Sequence, residues 1–229
     1  MSDLELIFLH GWALNASTWS QFHPVVAAFG SSLFTGERGY FFDAPKSPSF
    51  TGGASKNVLV THSLGLHMAS EEQLKQADLL VIIGGFMHFH DGDERQAKIS
   101  RIIVRKMLQK LQQEPERVLE DFYVNCGFPA KFLSSFKHLH GFDQELLKND
   151  LELLNESSLD PEKLALPGEV IILQGNMDTI APPHHAERIL KNCRSGKILI
   201  HPYGNHALPY EHPEWCLEQI NRESVVKRR

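Results

Sequence analysis

Ser63, Asp178 and His206 are the side chains around which a reaction can be drawn. Ser63 stands in Thr61-His62-Ser63-Leu64-Gly65, directly after the apolar β-type run Val58-Leu59-Val60. A helix-competent segment follows, from Leu66 through Leu74. Strand, tight turn and helix are the setting of a nucleophile elbow, where the chain reverses so sharply that the central serine points out at the sheet end. Small residues two before and two after the serine let strand and helix approach each other. Gly65 supplies the second, and Thr61 stands at the first. Taken alone, the stretch also reads as a serine capping a helix.

A serine nucleophile needs a base, and the base needs an orienting acid. After the run Val170-Ile171-Ile172-Leu173 comes Gln174-Gly175-Asn176-Met177-Asp178, a glycine-containing turn just past a strand end. After Ile198-Leu199-Ile200 comes Pro202-Tyr203-Gly204-Asn205-His206, again past a strand end. Separately, Asp178 is an ordinary turn residue and His206 a loop imidazole. Together they complete the order serine, acid, histidine at three strand ends. Two N–H donors are then expected for a developing oxyanion: Leu64, next to the nucleophile, and Trp12, in the loop His10-Gly11-Trp12 after the first strand.

The elements that must position these residues alternate. Leu4–Leu9 reads as a buried strand, and Ser32–Thr35 with Tyr40–Phe42 as a second, interrupted at Gly36–Gly39. Ser17 or Thr18 is placed to cap a helix through Trp19, Phe22, Val25, Val26 and Phe29, with Gly30 as its stop. Ala77–Gly85, Glu169–Leu173 and Lys197–His201 are further strands, and His185–Cys193 is helix-like. Short apolar strands alternating with helices imply an α/β class and a mostly parallel sheet covered on both faces. Residues 91–165 differ: Asp93–Gln113, Glu116–Val124 and Gln144–Leu154 are helical patterns, with Ile99, Ile102, Ile103, Leu108 and Leu111 marking an apolar face of the first. The expected division is a core of residues 1–90 and 166–229 with a helical lid inserted at 91–165. The terminal residues Ser224–Arg229 are expected to fray.

The 229 residues, 42% hydrophobic and 22% charged, suit one soluble α/β domain with an insertion. A net charge of −5 argues against a nucleic-acid or anionic-membrane partner. No run approaches the roughly 20 apolar residues of a membrane span, and no signal-peptide pattern precedes the first strand. A cytoplasmic monomer is expected. Cys126, Cys193 and Cys216 are too scattered for a disulfide framework or a Cys-x-x-Cys site, so reduced thiols are expected. The pairs His88-x-His90, His138-x-His140 and His184-His185 lack a metal-binding frame and read as polar loop residues.

The segment His10-Gly11-Trp12-Ala13-Leu14-Asn15-Ala16-x-x-Trp19 resembles the opening of the α/β-hydrolase esterases that cleave pimeloyl-acyl-carrier-protein methyl ester in biotin synthesis, which read His-Gly-Trp-Gly-Leu-Asn there. His206-Ala207-x-x-x-x-His212-Pro213 is similar to their catalytic-histidine segment, and Asp178-x-x-x-Pro182 matches the broader fold. The chain departs from them at Ala13 and Thr61, where they carry glycine, and at His62, where a bulky aromatic is common. The resemblance implies an α/β-hydrolase fold with about six strands and a serine carboxylesterase using Ser63, His206 and Asp178. It also implies an acyl-carrier protein as substrate carrier, with neither metal nor organic cofactor. A general short-chain carboxylesterase, a carbon–carbon-bond hydrolase of the same fold and a non-catalytic receptor remain as alternatives. The basic residues Arg95, Lys98, Arg101, Arg105, Lys106 and Lys110 on Asp93–Gln113 bear on the choice. Lys98, Arg101 and Arg105 share one stripe, which suits an acidic carrier or its phosphopantetheine phosphate. A solvated face balanced by the acidic run Glu114–Asp121 accounts for it equally. Arg101 and Arg105 are the carrier-binding candidates.

Overall fold

The computed structural model describes residues 4–28, 31–136 and 141–224. Six strands, β1 (Leu4–Leu9), β2 (Ser32–Thr35), β3 (Lys56–His62), β4 (Leu79–Ile83), β5 (Glu169–Gly175) and β6 (Gly196–His201), form one sheet in the order β2-β1-β3-β4-β5-β6. Every pairing is parallel. The helices are α1 (His23–Ala28), α2 (Gly65–Met68), α3 (Glu71–Gln76), α4 (Glu94–Leu111), α5 (Pro115–Cys126), α6 (Ala130–Phe136), α7 (Gln144–Glu156), α8 (His184–Leu190), α9 (Leu208–Glu211) and α10 (Pro213–Ser224).

Two-residue alternation splits the strand side chains between two cores. Val58 and Val60 of β3 meet Val26, Cys216, Leu217 and Ile220 of α1 and α10 on one face. Leu59 meets Leu66, Leu74 and Ile189 of α2, α3 and α8 on the other. A third core lies beyond the carboxyl ends of the strands. There Val104, Leu111, Val118, Leu119, Leu147 and Leu151 of the inserted helices pack with Trp12, Leu64 and Phe86. The chain leaves β1 for β2 on one side and returns to β3 on the other. That reversal opens a crevice at the carboxyl ends, where such sheets bind ligands.

Several elements differ from the sequence expectation. Asn15, rather than Ser17 or Thr18, caps a 3-10 turn over Ala16–Trp19, and α1 begins only at His23. Pro24 lacks the N–H needed to continue that turn, but it suits a fresh helix start. Phe29 and the stop at Gly30 lie outside the described residues, as do residues 225–229. The helix read from Leu66 through Leu74 is two helices. Ala69 is extended, and Ser70 and Gln73 form a capping box that starts α3 anew. Tyr40–Phe42 is not strand. The β1 ladder ends at Phe8 with Thr35, so β2 loses its neighbour, and a Glu37–Lys46 bridge closes the following loop. In α4 the buried seam is Ala97, Val104 and Leu111. Ile99, Ile102 and Ile103 point to solvent, because α5 and α7 take the i, i+7 row and leave the neighbouring row uncovered. Helices α6, α9 and α10 were not anticipated.

Candidate active site

The turn after β3 carries Ser63 at φ +53°, a left-handed conformation rare outside glycine. The Ser63 N–H donates to the Ile83 carbonyl at 3.0 Å, which pins the turn to β4. A Cβ on Gly65 would lie 2.6 Å from the Leu9 carbonyl oxygen and 2.8 Å from that of His10. Glycine there is therefore a requirement of close approach between α2 and β1. At the other small position the Thr61 side chain is fully buried, and its hydroxyl donates to the Val81 carbonyl at 3.4 Å.

His206 bridges the other two candidates. Its Nε2 lies 3.0 Å from Ser63 Oγ, and its Nδ1 lies 2.8 Å from Asp178 Oδ2. Asp178 Oδ1 accepts the N–H groups of Ile180 and Ala181, each at 2.8 Å. The carboxylate is thus fixed with Oδ2 facing the imidazole. An acceptor at Nδ1 selects the Nδ1–H tautomer and leaves the Nε2 lone pair toward the serine hydroxyl. All three side chains are buried. The two loops that carry the pair also hold each other: Met177 N–H donates to the Gly204 carbonyl, and Asn176 N–H to that of His201.

Two further residues belong to this arrangement, and the sequence reading does not place either in the site. Gly84 adopts φ +54°, and a Cβ there would stand 3.2 Å from both Asp178 Oδ2 and His206 Nδ1. The available signal was the Gly84-Gly85 pair at a strand end. His62, fully buried, holds the His206 carbonyl at 2.9 Å through Nε2. Burial, then the neighbouring His206 imidazole, lowers its pKa to about 3. It is therefore a neutral donor that ties the Ser63 turn to the His206 loop. Its Nδ1 has no partner among the described residues.

The loop after β1 passes against the elbow, so that a Cβ on Gly11 would lie 3.0 Å from the Ser63 Cβ. Among the described residues, neither the Trp12 nor the Leu64 backbone N–H is committed to another acceptor. The Trp12 indole N–H donates to the Leu147 carbonyl of α7 at 2.8 Å. Beside Ser63 and His206 is a closed-down apolar cavity, too tight to hold a water-sized sphere, lined by Trp12, Leu14, Phe122, Cys126 and Phe128. The Cys126 thiol is raised well above its ordinary pKa by burial and by Asp178, so it is not a competing nucleophile at neutral pH. A separate cleft lined by His10, Glu37, Arg38, Lys46 and Met68 does not include Ser63.

Arg101 and Arg105 are exposed on α4, and among the described residues no ion pair or hydrogen bond links them to the triad or to the Glu114–Asp121 run. His90 is used by Ser100 and Asn155, and His88 by the Ser157 carbonyl. His138-x-His140 lies outside the described residues. Among the described residues no group of three or more His, Cys, Asp or Glu is placed to hold a metal ion, all three cysteines are free, and no helix is long and apolar enough to cross a membrane.

No family model matches the sequence. A pimeloyl-[acyl-carrier protein] methyl ester esterase of Pectobacterium atrosepticum is 23% identical over 238 residues, spanning 95% of this chain and 93% of that protein. Among solved structures, an esterase from Exiguobacterium antarcticum aligns with a TM-score of 0.79 at 15% identity, over 98% of this chain and 93% of its own. A bromoperoxidase from Bacillus anthracis aligns at 0.77 and 13% identity, over 97% and 91%.

Proposed function

With the α/β-hydrolase fold that these likenesses show as the premise, we propose that the chain is a serine carboxylesterase and that its substrate is pimeloyl-acyl-carrier-protein methyl ester. The observation that carries the esterase reading is the buried relay Ser63 Oγ, His206 Nε2, His206 Nδ1, Asp178 Oδ2, with steps of 3.0 and 2.8 Å. Ser63 Oγ attacks the ester carbonyl while Nε2 takes its proton. Asp178 holds the imidazole orientation and offsets its positive charge. The N–H groups of Trp12 and Leu64 receive the oxyanion. The tetrahedral adduct collapses, the carbon–oxygen bond to the alcohol breaks, and His206 returns the proton to the leaving methoxide, releasing methanol. Water, deprotonated by His206, then attacks the acyl-serine and frees the acid and Ser63. No step draws on a metal or an organic cofactor.

The substrate reading is supported by the relative from Pectobacterium atrosepticum and by the exposed row of Lys98, Arg101 and Arg105 on α4. In it, the inserted helices act as a lid and the row meets an acidic carrier protein. The test is incubation of the purified chain with pimeloyl-acyl-carrier-protein methyl ester, with mass spectrometry reading a loss of one methyl per carrier. Turnover of small esters with none of the carrier substrate would reduce the reading to a general carboxylesterase. Failure of a fluorophosphonate to label Ser63 would leave a receptor.

A further inference from the structure

The loop that follows β1 has an unusual shape and an unusual set of holders. Ala13 adopts φ +55°, the left-handed region that a residue with a Cβ avoids. It is fully buried and lies between Trp12, the proposed oxyanion donor, and Leu14, which lines the cavity. Nothing in the loop's composition favours that conformation. What holds it comes from the inserted helices. Tyr123 of α5 donates its hydroxyl to the Ala13 carbonyl at 2.5 Å. The Trp12 indole donates to the Leu147 carbonyl of α7 at 2.8 Å and stacks edge-on against Phe122 of α5, centroids 4.8 Å apart. The same helices reach the other side of the site, where Ala207 N–H donates to the Cys126 carbonyl at 2.8 Å.

We propose that Tyr123 and the Trp12 indole are positioning groups: through them the seated inserted helices hold the oxyanion loop in its left-handed shape, so the donor pair is complete only while those helices are closed over Ser63. Ser63 itself is only 5% exposed and the cavity beside it, lined by Phe122, Cys126 and Phe128, has no room for a water-sized sphere, so an ester needs those helices to shift. Opening would loosen the holders of Ala13, and its unfavoured conformation would relax and carry the Trp12 N–H away from the oxyanion position. Closure over bound ester would restore it. Ester entry and assembly of the oxyanion hole are thereby one motion, and acyl transfer to water is suppressed while the site stands open. This rests on the proposed esterase reading.

The test removes one holder and then removes the need for it. Tyr123→Phe deletes the hydroxyl and keeps the ring. On a small ester it should lower kcat about tenfold with KM nearly unchanged, a fraction of what loss of an oxyanion donor costs. The rate of fluorophosphonate labelling at Ser63 should fall in parallel. Ala13→Gly in the Tyr123→Phe background should recover most of that loss, because glycine adopts positive φ without a holder. A general loosening of the packing would not be repaired by glycine at that position. Should Tyr123→Phe fail to fold, Trp12→Phe removes the other holder while leaving the backbone N–H, and the same rescue is expected. Full kcat in the folded single variant, or a loss that Ala13→Gly does not repair, overturns the inference while the esterase reading stands. A wild-type chain inert toward every ester and toward the fluorophosphonate overturns both.

Discussion

The sheet and the inserted helices bury their side chains differently, and the contrast separates the proposed chemistry from the proposed recognition. In the sheet, β1, β3, β4 and β5 are backed on both faces, and the proposed reacting groups stand where strands end: Ser63 after β3, Asp178 after β5, His206 after β6. The inserted helices bury a single seam. Their outward side leaves Ile99, Ile102 and Ile103 in solvent beside the exposed Lys98, Arg101 and Arg105. Besides the shared apolar core, polar contacts fasten them to the loops at the strand ends. The strongest is Asp150 of α7, which takes a two-pronged bond from Arg38 at 2.6 and 2.6 Å and the Tyr40 hydroxyl at 2.6 Å. The strand ends thus present the proposed reacting groups, and the inserted helices cover them through one apolar core and these polar contacts.

Breaking the chemistry should give the largest effect. Ser63→Ala is expected to lower kcat by about 10⁴- to 10⁶-fold on any ester while leaving the unfolding midpoint near that of the wild type. Asp178→Asn should cost about 10⁴-fold, since an amide at that position turns its N–H toward Nδ1 and selects the wrong tautomer. Steady-state kinetics on a chromogenic ester check both. A folded Ser63→Ala protein at wild-type turnover would remove the mechanism.

Breaking the fastening should act on stability first. Asp150→Ala leaves the Arg38 guanidinium and the Tyr40 hydroxyl without their carboxylate. The expected loss is about 3 kcal/mol, at the low end for a broken buried pair because Arg38 reaches solvent. Urea unfolding reads it. A midpoint within error of the wild type would show that apolar packing alone seats α7.

A smaller effect separates His62 from other titrating groups. Its folded-state pKa near 3 lies below the ordinary 6.5, so the unfolded chain binds the proton more readily. The stability contributed is full above about pH 6.5 and is lost as pH falls toward 3, by up to about 1.4 kcal/mol per pH unit. His62→Gln keeps an N–H for the His206 carbonyl and should flatten that slope between pH 6.5 and 5. His185, lowered to about 4 by burial and by His184, contributes in the same direction and is common to both proteins, so it cancels in the comparison. Parallel slopes in the two proteins would assign the acid sensitivity elsewhere.

The same division sets what was legible in the sequence. Strands of Val, Ile and Leu ending in Gly-containing turns were read within a residue or two, since a sheet buried on both faces leaves little choice of composition. Ser63, Asp178 and His206 are proposed from their order at strand ends, and the structure brings their side chains within hydrogen-bonding reach. Gly84 and His62 were not read as site residues, because their importance is a distance across the sheet: 3.2 Å from a missing Cβ to the Asp–His pair, 2.9 Å from an imidazole to the His206 carbonyl. The face of α4 was misread because periodicity allows several apolar rows on one helix, and only the neighbours decide which is covered. Tyr40 was read as strand because its aromatic character is the same whether it joins a ladder or, as here, turns under α7 to reach Asp150.

The smallest effect is the one that most sharpens the contrast between the halves. Arg101→Glu with Arg105→Glu is expected to raise KM several-fold for the carrier-bound ester and to leave p-nitrophenyl acetate hydrolysis close to wild type. Both side chains are exposed, and no bond or ion pair ties them to the proposed reacting groups among the described residues. Only a partner large enough to lie across α4 meets them. Exposed charges act over roughly a Debye length, about 10 Å at 0.1 M salt, so the KM penalty should shrink as salt is raised. Ile102→Ser, on the neighbouring uncovered row, should add a penalty that salt does not relieve, because apolar contact is not screened. Equal loss on both esters would mean that the inserted helices have been unseated. No change on either would make the row a solvated face, and the carrier reading would then rest on sequence similarity alone.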